Sequence, residues 1–163
     1  MYTRLLNEVV LELKGEEVVE EVDVQIDLDV TSYIPEEYIE NASQKIEVYQ
    51  NIALCRTEED IQNITDEIID RYGQMSYEVE NLIEIARIKN LAREKHILKI
   101  QQKDERIVFY FDSEKFNFDI VDKLMKTFRN RIKFSPATEP YITFKLQDMK
   151  NILGECKDFL NKL

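Results

Sequence analysis

The sequence predicts an α+β fold in which several helices pack on a small, mostly antiparallel sheet. Two observations lead to this prediction. Apolar residues recur at helical spacing through much of the first half of the chain, whereas the second half contains short apolar runs separated by polar turns and prolines. The length of 163 residues and the apolar content of 44% predict a single domain, 1–163, with a substantial core.

The first half is predicted to contain four helices and one strand. Apolar residues from Tyr2 to Leu13 recur at helical spacing, and Gly15 follows where a C-cap glycine belongs. Val22–Val30 alternates apolar and polar, mostly acidic residues, as a strand with one buried face does. Pro35 disfavours helix in the stretch just before it. Three helices are predicted after this stretch, over Asn41–Cys55, Thr57–Gly73 and Tyr77–His96.

The termini of these helices carry recognisable signals. Asn41 is a suitable N-cap for the first of the three, and Ser76 can cap the last. Thr57 and Asp60 match the S/T-x-x-D/E capping box, in which two side chains bond each other's backbone N–H groups. Gly73 stands where a helix commonly ends.

The second half predicts a hairpin, two further strands and two helices. The polar turn QQKDE joins the two strands of the hairpin, and Pro136 and Pro140 separate the two strands that follow. The four strands are predicted at 97–100, 106–111, 131–135 and 141–146. The two helices are predicted over Phe118–Phe128 and over Gln147–Leu163, the second with a regular apolar stripe that includes Met149.

The sequence lacks the motifs of common catalytic sites. It has three glycines, with no phosphate-binding loop and no nucleophile elbow. The single histidine, His96, stands at a predicted helix end, where a cation is favourable and a structural role is the simpler interpretation. Cys55 and Cys156 fall on apolar helix faces and are predicted to be buried thiols in a reducing compartment. We therefore expect no catalytic residue, no metal and no cofactor, and an isolated domain that is not an enzyme.

Cellular location is predicted from two further features. No apolar run approaches the roughly 18–20 residues that span a bilayer, and the N-terminal residues do not form a secretory signal. The expectation is a cytoplasmic protein without a membrane partner.

Charge is distributed unevenly along the chain. The net charge of −11 is the sum of −16 over residues 1–80 (21 acidic, 5 basic) and +5 over residues 81–163 (12 acidic, 17 basic). An acidic half repels a phosphate backbone, so DNA is a poor partner for this domain alone and a basic protein surface is a good one. The alternative is a nucleic-acid-binding module that uses the basic segment 126–133, with Lys126, Arg129, Arg131 and Lys133.

Four acidic residues lie on one half of the helix predicted over 57–73. At about 100° per residue, its apolar side chains cluster within about 80° of arc. The acidic residues on the opposite half are Glu59, Asp66, Glu67 and Asp70. Such a face can be half of an acidic active site, part of a docking surface or ordinary solvated charge. The residues alone leave all three possibilities open.

Several segments, taken in order, resemble the C-terminal domain of bacterial transcription-repair coupling factors. The resemblance covers roughly Tyr2–Ile100. Its most specific pieces are the pattern DxxxYIPxxYI, found here at Asp29–Ile39, and the run EIIDRYG, found at Glu67–Gly73. Residues 101–163 match that domain in arrangement more than in sequence.

The resemblance implies a role within a larger protein. The whole protein would be an ATP-dependent DNA translocase that removes stalled RNA polymerase and recruits nucleotide excision repair, with its motor motifs upstream of this chain. Residues 1–15 would then be a helix that continues from an upstream domain.

The resemblance also implies a partner and a set of contact residues. In this family the last domain is not catalytic and docks intramolecularly on the UvrB-like N-terminal module. There it masks the UvrA-binding surface and keeps the translocase repressed until RNA polymerase is engaged, so UvrA and RNA polymerase are indirect partners. The carboxylates of the family's docking helix correspond to Glu67 and Asp70 here. Asp66 and Glu59 lie on the same predicted face.

Two positions depart from the family pattern. Ser76 stands where the family usually has proline, and His96 stands where it tends to have glycine. A histidine at a helix C-cap must accept a backbone conformation that glycine takes at no steric cost. Both departures affect the local loop shape and not the resemblance as a whole.

Overall fold

The computed structural model describes residues 24–163, and the helix predicted over residues 1–15 lies outside them. The described part contains five α-helices, a five-stranded sheet and a short 3₁₀ turn at Arg129–Arg131. In chain order, the elements are β1 (Gln25–Asp27), α1 (Ala42–Leu54), α2 (Glu58–Tyr72), α3 (Tyr77–Glu94), β2 (Ile97–Lys103), β3 (Arg106–Phe111), α4 (Asp119–Phe128), β4 (Ile132–Ser135), β5 (Tyr141–Lys145) and α5 (Ile152–Asn161).

The sheet has the strand order β1-β2-β3-β5-β4. Only β1 is parallel to its neighbour, with Ile26 opposite Ile100, and the remaining pairs are antiparallel. The predicted α+β class with a mostly antiparallel sheet is therefore confirmed. The strand β1 is shorter than predicted, because the chain leaves the ladder after Asp27 and the Asp29 N–H bonds the side chain of Gln102 instead (2.8 Å).

Two hydrophobic clusters form the core. One lies among α1, α2 and the first half of α3, and the other lies between the sheet and α3, α4 and α5. Helix α3 contributes to both, since Val79 and Ile83 are buried in the first cluster and Ile88 and Ala92 in the second. This shared helix holds the helical half of the domain against the sheet half.

The last helix begins five residues later than predicted. The Glu155 carboxylate accepts hydrogen bonds from the backbone N–H groups of Gln147 (3.0 Å) and Asp148 (2.8 Å), and it also pairs with Arg131 (2.7 Å). These bonds hold residues 147–151 outside the helix. The apolar stripe predicted that Met149 would lie on the buried side of this helix. Its side chain is instead outside the helix, and the residue is 47% exposed.

The two positions that depart from the family pattern have distinct backbones. His96 has φ 61°, the left-handed conformation expected where the family has glycine. Ser76 has φ −72°, within the range that proline imposes. Its hydroxyl makes no capping bond, so the predicted side-chain cap is wrong, although Ser76 does occupy the N-cap position.

The predicted burial of both cysteines is confirmed. Cys55 and Cys156 are buried and unlinked. Burial raises the pKa of both thiols, that of Cys156 to about 12. A thiol held protonated in this way is a poor nucleophile. Within residues 24–163, no helix combines the length and apolar character needed to cross a bilayer.

Candidate functional site

The helix α2 is fixed at its start by the predicted capping box. Thr57 Oγ1 accepts from the Asp60 N–H (3.0 Å), and Asp60 Oδ2 accepts from the N–H groups of Thr57 (3.2 Å) and Arg56 (3.0 Å). The backbone donors of Arg56 and Thr57 lower the pKa of the Asp60 carboxyl. The first turn is thereby anchored in a single geometry.

The buried side of α2 is the side on which helical periodicity placed its apolar residues. Ile61, Ile64 and Ile68 are buried against the helical cluster. All four predicted site residues, Glu59, Asp66, Glu67 and Asp70, are exposed. We call this set the acidic face of α2.

The members of the acidic face differ in their local partners. Glu67 makes a loose i,i+4 pair with Arg71 (3.6 Å), and its side chain stays 54% exposed. Asp66 accepts from the Gln62 amide (3.1 Å). Glu59 and Asp70 have no hydrogen bond or ion pair with any of residues 24–163. An exposed pair such as Glu67–Arg71 is weak, roughly 0.3–0.5 kcal/mol, so a partner's cation can displace it.

The C-terminal end of α2 is held by a contact that the sequence did not reveal. The Tyr38 hydroxyl donates to the Gly73 carbonyl (2.6 Å), and the rings of Tyr38 and Tyr72 lie 6.1 Å apart. The two most specific pieces of the family pattern therefore meet in space. Tyr38 positions the end of the helix that carries Glu67 and Asp70, and its only signal in the sequence was its place within the YIPEEYI run.

Gly73 is required by its backbone conformation. Its φ of 87° with ψ −170° lies in a region populated almost only by glycine, while a Cβ built there meets no atom within 4 Å. We expect Gly73→Ala to lower the free energy of unfolding by about 1–3 kcal/mol through backbone strain alone. Urea denaturation followed by circular dichroism measures this change. Gly154→Ala is not a suitable control, since its added methyl would meet Asn151, so Ala42→Gly at the exposed start of α1 serves instead, with an expected change of about 1 kcal/mol or less.

A shallow depression of about 290 Å³ lies beside Glu67, between α1 and α2. It is lined by Leu54, which is 70% exposed, together with Asn51, Asn63 and Ile64. The sequence analysis did not identify Leu54 as part of a surface. The depression therefore places one exposed apolar side chain next to the Glu67 carboxylate.

The structure separates the basic residues of segment 126–133 by their partners. Lys126, Arg129 and Lys133 are exposed. Arg131 pairs with Glu155, donates to the Lys145 carbonyl (3.0 Å) and lies over the Phe144 ring at 4.5 Å. Arg131 is therefore engaged in holding α5 and β5 together.

Acidic side chains do not converge into a cation site within the described part of the chain. Among residues 24–163 no group of three or more His, Cys, Asp and Glu side chains could hold a metal ion. The four carboxylates of the acidic face of α2 are all exposed to solvent.

The fold and the surface together define the class of protein. It is an α+β domain with an exposed acidic helix, α2, whose two ends are held by hydrogen bonds. The family model described as the TRCF domain matches residues 28–120. The chain belongs to the transcription-repair-coupling factor family.

Several named relatives show the extent of the similarity. The chain is 31% identical to a transcription-repair-coupling factor of Rickettsia typhi over 165 residues, which is 98% of this chain and 14% of that protein. It is 37% identical to the Staphylococcus haemolyticus factor over 109 residues and 34% identical to the Bacillus subtilis factor over 108 residues, in both cases 66% of this chain and 9% of the relative. The chain thus spans about a seventh of the length of the Rickettsia relative.

The fold also matches a solved structure. The crystal structure of a C-terminal domain of transcription-repair coupling factor superposes with a TM-score of 0.76 at 21% identity. The match covers 86% of this chain and 91% of that one. At this identity the match establishes the fold alone.

Proposed function

We propose that this chain is a non-catalytic regulatory domain that docks on the UvrB-like N-terminal module of its parent coupling factor. The docked domain masks the UvrA-binding surface and holds the ATP-dependent DNA translocase in a repressed state until RNA polymerase is engaged. The observation that carries the proposal is the pair Glu67 and Asp70, both exposed on a helix that is anchored at each end and lies within the matched family segment.

The spacing of these carboxylates suits recognition by arginine. Residues i and i+3 lie on neighbouring turns of a helix, so Glu67 and Asp70 present two acceptors to one side. An arginine guanidinium binds a carboxylate through two parallel N–H···O bonds, which adds orientation to charge attraction. A basic surface with two such arginines would fit the acidic face of α2.

A charge-dominated contact also suits docking that must be reversible. The docked state can be favoured by only a few kcal/mol if an upstream event is to release the domain. The two carboxylates, with the exposed Leu54 beside Glu67, give a small contact of this kind. A large apolar interface would close the domain permanently.

Nucleic-acid binding through segment 126–133 has less support. Arg131 already contacts Glu155 and Phe144. Only three exposed basic side chains of this segment are then left to bind phosphates, in a chain whose net charge is −11. Typical DNA-binding surfaces neutralise several phosphates at once. Protein docking therefore accounts better for the described charges.

Titration of this chain with the separately purified UvrB-like module, at increasing salt, tests the proposal. We expect binding whose Kd rises at least about tenfold between about 50 mM and 300 mM NaCl, since exposed charges are screened beyond roughly 6–14 Å in that range. A Kd that is constant with salt, or no binding at low salt, would contradict the proposal. Titration with duplex DNA under the same conditions is the control, for which we expect no binding.

A further inference from the structure

The strand register defines a second surface, on the side of the sheet that faces away from α3, α4 and α5. Core residues such as Phe109 and Phe144 lie on the helix side. Side chains alternate along each strand, so the residues between them lie on the other side. Val108, Tyr110 and Tyr141 are on that other side, and none of them belongs to either hydrophobic cluster. We call this side of β2, β3, β5 and β4 the outer face of the sheet.

The outer face is basic. Its five cations are Lys99, Lys103, Arg106, Lys133 and Lys145. No carboxylate within residues 24–163 forms an ion pair with any of them. Among the described strands the only acidic residue is Asp27, at the margin on β1. Positive charge is therefore concentrated here, although the chain carries a net charge of −11.

Three of the cations lie directly opposite one another on adjacent strands. Lys103 is opposite Arg106, and Arg106 is opposite Lys145. Like charges in opposed positions of a sheet are destabilising. Asp104 and Glu105, in the turn between β2 and β3, form no ion pair with these cations in the described part of the chain. A bound polyanion would relieve this repulsion, so the row favours such a ligand.

Two aromatic rings lie on the same face, beside a further cation. Tyr110 and Tyr141 are opposite each other, with ring centroids 5.5 Å apart. Lys99 Nζ lies 5.8 Å from the centroid of the Tyr110 ring. Both tyrosines are partly exposed. Proteins use aromatic rings on a sheet to stack unpaired bases, while neighbouring cations bind the phosphates.

The arrangement favours a single strand of RNA. Bases reach such rings only when they are not stacked within a duplex. Gln101 and Thr143 lie in the row between the tyrosines and the row of three cations, and their side chains have no hydrogen bond to residues 24–163. An amide and a hydroxyl placed there can bond the ribose 2′-OH, which is both a donor and an acceptor and is absent from DNA.

We propose that the outer face of the sheet binds single-stranded RNA. Bases would stack on Tyr110 and Tyr141, and phosphates would pair with the row of three cations. This surface shares only Lys133 with segment 126–133. It belongs to the sheet half of the domain, and the proposal does not depend on docking by the acidic face of α2.

The test uses the 163-residue chain and a fluorescein-labelled oligouridine of about 12 nucleotides. We expect saturable binding by fluorescence anisotropy at about 50 mM NaCl, with a Kd at least about fivefold higher at about 200 mM, because bound phosphates release counterions. Changing Lys103 and Lys145 together to Gln should weaken binding at least about tenfold. Both side chains are exposed, so the fold should persist, as thermal denaturation checks.

A second pair of variants tests stacking separately from charge. Tyr110→Leu removes the ring and should weaken binding at least about fivefold, since base stacking on an aromatic side chain is lost. Tyr110→Phe keeps the ring and should leave the Kd within about twofold. Equal weakening by the two Tyr110 variants, or no effect of Tyr110→Leu, would contradict stacking on this face.

Matched controls separate the outer face from general charge effects. Lys123 and Lys126 are exposed on α4, which packs on the helix side of the sheet. Changing both to Gln removes the same charge and should leave the Kd within about twofold. Absence of binding at about 50 mM NaCl, or equal weakening by the two lysine double variants, would overturn the proposal. Equally tight binding of an oligothymidine of the same length, or of a polyglutamate peptide, would also overturn it, by indicating DNA or an acidic protein instead.

Discussion

Phe159→Ala is expected to lower the free energy of unfolding by about 3–5 kcal/mol. Phe159 is fully buried on α5 and stacks on Phe109 with ring centroids 4.0 Å apart. It also contacts the rings of Phe144 (5.2 Å) and Phe128 (5.9 Å). Removing the ring takes away the side chain that joins α5 to both the sheet and α4, and the rigid neighbours cannot close the cavity.

Urea denaturation of the 163-residue chain measures this loss. The control is Phe118→Ala, the same chemical change at a side chain that is 66% exposed, for which we expect a loss below about 1.5 kcal/mol because only its ring contacts with Phe116 and Phe134 are removed. Equal losses in the two variants would show that the aromatic cluster around Phe159 is not the centre of the sheet half.

The second large effect is expected at the acidic face of α2. Changing Glu67 and Asp70 together to Ala should weaken binding to the UvrB-like module by at least about 30-fold, since truncating one partner of a hydrogen-bonded interfacial charge pair costs roughly 2–5 kcal/mol. Folding should be unchanged, because both side chains are exposed and only the loose Glu67–Arg71 pair is lost. Isothermal titration calorimetry measures the affinity, and thermal denaturation checks the fold.

The matched control places the same spacing on another helix. Asp119 and Asp122 are also exposed carboxylates three residues apart, on α4 in the sheet half. Changing both to Ala removes the same charge and should leave the Kd within about twofold. A comparable loss of affinity in the two double variants would indicate general electrostatic attraction rather than docking by α2.

The sequence predicted best those elements whose signals are local. The helix α2 begins at its capping box and ends at Gly73, because both signals act within one turn of the chain. The exposure of the four carboxylates on its acidic face follows from helical periodicity alone. The left-handed backbone at His96 also follows from the family's preference for glycine at that position.

Features that depend on distant contacts were beyond sequence reasoning. The apolar pattern predicted that α5 would begin at Gln147, but the helix begins at Ile152. The Glu155 carboxylate accepts hydrogen bonds from the backbone N–H groups of Gln147 and Asp148, which holds those residues outside the helix. The hydrogen bond from Tyr38 to Gly73 joins residues 35 positions apart, and no local pattern encodes it. Helix α1 likewise packs against α3 although α2 separates them in the chain, and no local pattern encodes that contact.

The exposure of apolar residues on α1 was a second feature that the sequence did not reveal. On α1, Ile46 is 56% exposed and Ala53 is exposed, while Val48 is buried. Ala53 faces the space between α1 and α3, and Leu54 lines the depression beside Glu67.

Access of UvrA to the parent protein is the most direct test of the central proposal. The measurement is the Kd of UvrA for the full-length coupling factor, wild type against Glu67→Ala with Asp70→Ala, with the Asp119 and Asp122 double variant as control. Release of the docked domain predicts UvrA binding at least about tenfold tighter in the α2 variant and unchanged in the control. An unchanged UvrA affinity in the α2 variant would contradict the proposal that this face keeps the UvrA surface covered.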